Sequence, residues 1–129
     1  MRHQTKKHTL GKAQDQRKAL LRSLATELFT HGEIKTTMAR AKALQPYAEN
    51  VITMAKKGDL NSRRLAGKYI YDKEIGQLID TTTGEVFDAP QEGKKLAKQT
   101  VLRKLFSVIG VKYSSRQGGY TRIFRLPPR

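Results

Sequence analysis

Two short stretches carry the side chains best suited to ligand chemistry, and in both that chemistry is anion binding. The first is Glu33-Ile-Lys-Thr-Thr-Met-Ala-Arg-Ala-Lys42, which gathers Lys35, Thr36, Thr37, Arg40 and Lys42 around one junction. Lysine offers a compact point charge, arginine a planar fork that matches phosphate, and a hydroxyl both donates and accepts. The second stretch runs from Lys112 to Arg125, KYSSRQGGYTRIFR. Arg116, Arg122 and Arg125 suit phosphates, while Tyr113 and Tyr120 suit stacking on unpaired bases or sugars. Tyr120 is equally suited to packing on a core behind a plain hairpin. Gly118-Gly119 allows a sharp turn and a close backbone approach to a ligand surface. It is no Walker or dinucleotide loop, because no glycine-rich motif opens onto a helix at the required spacing.

Other chemistry finds little support. His3, His8 and His31 have no metal-ligand spacing, and the carboxylate pairs Asp72/Glu74 and Asp88/Glu92 are local. Ser114-Ser115 have no evident base, and the chain has no cysteine, which excludes disulfides and thiolate metal sites. No catalytic residue, cofactor, metal or small-molecule substrate is therefore expected. Lys and Arg number 26 against 11 Asp and Glu, a net charge of +15. Such an excess repels itself, so a polyanionic partner is the simplest explanation. Nucleic acid leads; an acidic membrane or an acidic protein comes second.

The charge is unevenly placed. Residues 1–72 hold 15 basic and 6 acidic groups, 73–93 hold 1 and 5, and 94–129 hold 10 and none. Two basic blocks thus flank an acidic interruption, and RNA is expected on the blocks. No apolar run reaches membrane-span length and no signal core follows Met1, so a cytosolic protein fits. An organellar one would be made inside the organelle or have shed its transit peptide.

These side chains need elements to position them. At 129 residues one domain is expected, burying roughly two-thirds of its unfolded surface. Residues 1–14, with Arg2, His3, Lys6, Lys7 and Lys12, are too polar to order themselves and read as a basic arm, either threaded into RNA or solvated. Residues 15–129 form the domain proper. Asp15 is placed to cap a helix over 16–31 with Leu20, Leu21, Leu24, Ala25 and Leu28 on its apolar face. Arg17, Lys18 and Arg22 lie beside that stripe, as phosphate ligands or as solubilising charge. Gly32 ends this helix, Glu33–Thr36 is a short β-type run, and Thr37 caps a second helix. That helix carries Ala41, Leu44, Ala48, Val51, Ile52 and Ala55 and ends at Gly58, with a kink expected at Pro46.

Asp59 or Asn61 caps a short helix bearing Arg63 and Arg64, a phosphate-facing pair or ordinary surface charge. Asp72 caps another through Ile75, Leu78 and Ile79. Residues 80–93 read as an acidic insertion, with a turn at Thr82-Thr83-Gly84-Glu85 and a short strand or packed loop at Val86-Phe87. A basic amphipathic helix follows from about Lys94 to Ile109, with Ala97, Val101, Leu102, Leu105, Phe106 and Ile109 inward. Tyr120 to Leu126 alternates as a strand.

Four separated segments resemble one known family in order. They are Met1-Arg2-His3, Gln16-Arg17-Lys18-Ala19-Leu20-Leu21-Arg22, the Ile34–Lys42 junction, and Arg116–Ile123. Together they resemble bacterial-type large-subunit ribosomal protein seventeen, whose members carry Ile-x-Thr-Thr followed by Arg-Ala-Lys. The resemblance implies a two-layer α+β fold, helices on a small mixed three-stranded sheet with strands near Ile34 and Ile123. Family members pass the 76–100 region with less sequence. They also continue beyond Thr121-Arg122-Ile123 into a final strand between the other two, whereas this sequence stops at Arg129. Either the chain is incomplete or the sheet is rebuilt or filled by a neighbour. The implied function is a structural constituent of the large ribosomal subunit. It would bind large-subunit rRNA near the peptide exit, beside proteins such as twenty-two and thirty-two, in a cytoplasmic or organellar ribosome. The competing expectations are a free DNA-binding protein and a membrane or protein interaction module on the 94–109 helix.

Overall fold

The computed structural model describes residues 8–129, so Arg2, His3, Lys6 and Lys7 lie outside the described residues. The chain forms α1 (Gln14–His31), α2 (Met38–Lys57) and α3 (Leu60–Ala66), then β1 (Glu74–Asp80), β2 (Val86–Phe87) and β3 (Leu96–Thr100). It closes with α4 (Val101–Lys104), a π-helical turn at Leu105–Ile109 and α5 (Gly110–Lys112), which follow one another as a single C-terminal helix. Helices packed with a small sheet make the fold α+β, as expected.

Helix boundaries follow local chemistry. α1 starts two residues ahead of expectation, with Ala13 rather than Asp15 at the N-cap and Asp15 in the first turn, where a carboxylate favours the helix dipole. Gly32 adopts φ 83° and donates its N–H to Leu28 O, closing α1. Thr37 caps α2 by accepting from the Arg40 N–H, and Gly58 (φ 69°) ends it. Pro46 lies inside this one unbroken helix. Asp59 caps α3 by accepting from the Ser62 N–H at 2.9 Å. That bond, with the Ser62 hydroxyl, holds the Asp59 carboxyl below its usual range.

The core is largely helix against helix. Ala25 and Phe29 of α1, Leu44, Ala48, Val51, Ile52 and Ala55 of α2, Ala66, Ile70, Val101 and Leu105 make one buried cluster. α2 supplies the central stripe, and the C-terminal helix crosses it where Gly110 meets Ala55. A Cβ at Gly110 would stand 2.7 Å from the Ala55 carbonyl oxygen. Lys104 reaches α1 and donates to Thr30 O at 2.9 Å, and burial pulls its pKa down.

The sheet corrects three expectations. It is antiparallel throughout rather than mixed, in the order β2-β1-β3. It is built from residues 74–100, not from strands near Ile34 and Ile123, which lie in segments without regular structure. Ile34 is alone among polar neighbours and spends its side chain on the helical core. Thr121, two residues before Ile123, gives its N–H to Glu49 and its carbonyl to Gln45, so both ladder groups are taken by α2.

The remaining corrections concern period. Ile75, Leu78 and Ile79 sit on β1, not on a helix. Gly76 has φ 87°, and the pairing with β3 slips between Glu74 and Leu78. A slip of this kind resets strand alternation and leaves an apolar spacing that imitates a helix. Asp72 still caps, but caps the C-terminal helix, accepting from the Leu102 N–H at 3.2 Å. Residues 96–100 are strand and helix begins only at Val101, so the expected helix over 94–109 is shorter by its first turns. Pairing to β1, with Ile79 opposite Ala97, overrides the poor strand propensity of Leu-Ala-Lys-Gln-Thr. The turn at Thr81–Thr83 and the strand at Val86-Phe87 are as expected. Asp80 is buried and ties this turn, accepting from both the Thr82 hydroxyl and N–H, which hold its carboxyl below the usual range.

Two substitutions test this packing. Gly110→Ala should lower stability despite the helix-propensity gain of about 1 kcal/mol. The added methyl meets backbone that cannot rotate away, and overpacking costs about 1–3 kcal/mol. A rise in denaturation midpoint would contradict the close crossing. Gln99 is buried on β3 with neither amide atom hydrogen-bonded among the described residues. Gln99→Met should therefore stabilise, by about 1–3 kcal/mol, because an unmade buried hydrogen bond is removed.

Candidate nucleic-acid interface

The α1–α2 junction sets its polar groups outward by anchoring one residue. Ile34 packs on the core, while Lys35, Thr36, Thr37 and Lys42 are exposed and Arg40 is half-buried. None of Lys35, Arg40 and Lys42 has a carboxylate partner among the described residues.

The C-terminal segment is held against α2 by polar side chains. Lys56 donates to Arg116 O and to the Tyr120 hydroxyl, the latter at 2.8 Å. Glu49 accepts from both the N–H and the hydroxyl of Thr121, and Gln45 donates to Thr121 O. Gln45, Glu49 and Lys56 lie in one row along the helix, beside the apolar stripe, and Lys42 begins the same row. The segment runs antiparallel to α2, so the step from Arg116 to Thr121 leads toward the α2 N-terminus. Arg122 and Arg125 follow, both exposed.

Gly118 and Gly119 have φ 87° and 63°, so the turn requires two left-handed residues, as glycine permits. Tyr113 and Tyr120 pack on each other at 5.6 Å between ring centres, and both rest against the core. Lys56 stands 5.0 Å from the Tyr120 ring and Arg116 stands 5.2 Å from that of Tyr113. Tyr120 thus serves first to position the loop. Its hydroxyl is held below the usual phenol pKa by the Lys56 hydrogen bond.

Other expected ligands divide. Lys12, Arg64 and Arg125 are exposed with no ion-pair partner among the described residues. Arg17 is half-buried, and the Arg63 guanidinium lies 5.6 Å from the Phe106 ring of the C-terminal helix. Arg22 turns inward. Its Nη2 donates to Gly67 O and Ile70 O at 2.8 and 3.1 Å, and its guanidinium stacks on Tyr71 at 4.3 Å. Gln45, Glu49 and Lys56 were not singled out in the sequence. The available signal was their spacing of four and seven residues on α2.

Three carboxylates are engaged elsewhere. Glu27 pairs with Lys73 and His31, Glu74 with Lys98, and Glu85 with Lys94. Lys73 and His31 keep the Glu27 carboxyl below its usual range. Every ion pair among the described residues therefore involves α1, the sheet or its turns. No His/Cys/Asp/Glu cluster fit for a metal occurs among the described residues, and no helix there is long and apolar enough to cross a membrane.

Residues 20–129 match the sequence model of the Ribosomal protein L17 family. The chain belongs to this family. It is similar to the large ribosomal subunit protein bL17 of Staphylococcus carnosus (strain TM300), 47% identical over 120 residues, covering 93% of this chain and 85% of the relative. With that of Lactiplantibacillus plantarum the identity is 43% over the same coverage. The L17 family match takes in the junction, α2 and the Arg116–Arg125 segment together.

Removing Lys56 tests how this segment is held. In Lys56→Met the Tyr120 phenol should titrate closer to the ordinary tyrosine value, because the ammonium that favours its phenolate is gone. Tyrosine ring-carbon NMR reads this directly, and an unshifted titration would remove Lys56 from the role assigned to it.

Proposed function

We propose that the chain is a structural, non-catalytic constituent of the large ribosomal subunit, binding its rRNA through phosphate, sugar and shape contacts. The family and the names of its bL17 relatives support the subunit. The charge geometry supports the mode of binding. One observation carries it: the ion-paired carboxylates among the described residues, Glu27, Glu74 and Glu85, lie on α1, the sheet and its turns, whereas Lys35, Arg40, Lys42, Arg122 and Arg125 have no ion-pair partner among them. Lys35, Arg40 and Lys42, within eight residues, repel one another until an anion covers them.

The rRNA surface comprises Lys35, Thr36, Thr37, Arg40 and Lys42 with Arg116, Gly118, Gly119, Arg122 and Arg125. Tyr120 holds that loop in place and offers a ring edge. Lys12, Arg17, Arg63 and Arg64 extend the surface, and Arg2, His3, Lys6 and Lys7 lead it into the RNA as an arm. Arg22 contributes by shaping the segment it pins. The acidic hairpin around 80–93 turns away from RNA, toward solvent or a basic protein. Placement near the peptide exit, beside proteins twenty-two and thirty-two, fits a small domain with one RNA face and one acidic face. The bacterial relatives favour a cytoplasmic ribosome over an organellar one.

The double change Arg116→Ala with Arg122→Ala should weaken association with large-subunit rRNA, and Glu85→Ala should leave it unchanged. Two lost phosphate contacts should also flatten the salt dependence by roughly 1.5 log units per log salt. Equal effects from both changes would refute the assignment. Tighter binding to duplex DNA than to folded rRNA, or binding to anionic vesicles but not RNA, would favour a free DNA-binding protein or a membrane module.

A further inference from the structure

A half-open cleft of about 550 Å³ lies between α1, α2 and the segment after α3, away from the Arg116–Arg125 loop. Its walls are the rings of Tyr47, Tyr69 and Tyr71, and its cationic lining comes from Lys18, Arg22 and Lys68. Among the described residues no carboxylate lines it. Asp72, the nearest acid along the chain, is committed to the Leu102 N–H. The cleft therefore disfavours a cationic guest and favours a flat, anionic one.

The walls are fixed without any guest. The Tyr47 hydroxyl donates to Tyr69 O at 2.6 Å and its ring meets that of Tyr69 edge-on, with centres 5.5 Å apart. Burial pushes the Tyr47 phenol up to about 12, so it stays a neutral donor. Thr26 Oγ1 accepts the Tyr71 N–H at 2.9 Å, and Arg22 grips the carbonyls of Gly67 and Ile70. Side chains from two helices thus pin four backbone groups between Gly67 and Tyr71. Arg22 Nε is nonetheless buried with no acceptor among the described residues, so the cleft wall holds an unmet donor. Tyr71 remains 37% exposed, and Lys18 and Lys68 are free at the rim.

We propose that this cleft receives one unstacked nucleotide of the rRNA, its base against Tyr69 and Tyr71 and its phosphate between Lys18 and Lys68. The inference rests on the rRNA-binding function above and adds a second, separate contact to it. The volume suits a small planar ligand, since such sites run from about 300 to 1,000 Å³. Sequence-specific RNA recognition works mainly on bases splayed from the helix and stacked on aromatic side chains. The aromatic faces would supply base stacking, and the two lysines would fix the backbone on either side.

The test is ultraviolet cross-linking of large subunits assembled with the full chain, followed by mass spectrometry of tryptic peptides. The expected result is a nucleotide adduct on Tyr69 or Tyr71, within the peptide Tyr69–Lys73. Tyr71→Leu should abolish the Tyr71 adduct and weaken binding to purified large-subunit rRNA roughly ten-fold, as for loss of one base–aromatic stack. Lys68→Met, at an exposed site, should weaken it several-fold. Adducts confined to Tyr113 or Tyr120, with full affinity in both variants, would overturn the cleft contact while leaving rRNA binding intact. A cross-link from this cleft to a neighbouring protein would overturn it as well. Failure of the unmodified chain to bind rRNA would overturn this inference and the proposed function together.

Discussion

α2 has to satisfy two partners with adjacent rows of side chains, and the molecule is arranged around that requirement. The row Leu44, Ala48, Val51, Ile52 and Ala55 is buried and builds the core. The next row, Gln45, Glu49 and Lys56, binds the C-terminal segment through its backbone and through Thr121 and Tyr120. The first row works by area removed from water and is non-directional. The second works by hydrogen bonds that fix register, and so decides which residues of the segment face outward. Core formation and presentation of Arg122 and Arg125 are thereby coupled through a single helix.

Charge placement follows the same division. Glu49 lies in the second row, but its Oε1 accepts from Thr121 instead of neutralising a surface cation. Glu27, Glu74 and Glu85 are paired around the sheet. Exposed ion pairs of this kind contribute little stability, with a median of roughly 0–1 kcal/mol. Their consequence is spatial: among the described residues none of them takes up Lys35, Arg40 or Lys42, and Glu33 is the one acid in that junction. The Tyr47–Tyr69–Tyr71 cleft sits on another flank with the same bias, cations at its lining and no acid. The α-helical part is consequently positive on more than one side, whereas the sheet is close to self-neutralised.

The first three helices and four of the residues that bound them were legible in the sequence. Gly32, Thr37, Gly58 and Asp59 act through local backbone chemistry that needs no distant partner, and each stands where the sequence places it. Of the sheet only β2 was legible. β1 hides behind a slipped register at Gly76, and β3 is a weak strand former held only by its pairing to β1. Strands near Ile34 and Ile123 were expected because the residue types permit them. What decides against them is non-local, namely the capture of Thr121 by α2. The candidate site was legible as residue types at the junction and around Gly118-Gly119. The inward turn of Arg22 was not, since its acceptors at Gly67 and Ile70 are more than forty residues away.

Lysine accessibility in the assembled particle bears most directly on the claim that the uncompensated cationic face is the one covered by RNA. Large subunits carrying the full chain would be labelled with an amine-reactive reagent and compared with the free protein. Lys35 and Lys42 are exposed in the free domain and should become protected on assembly, whereas Lys95 beside the acidic hairpin should stay reactive. Unchanged labelling of Lys35 and Lys42, with protection moving to Lys95, would contradict the account.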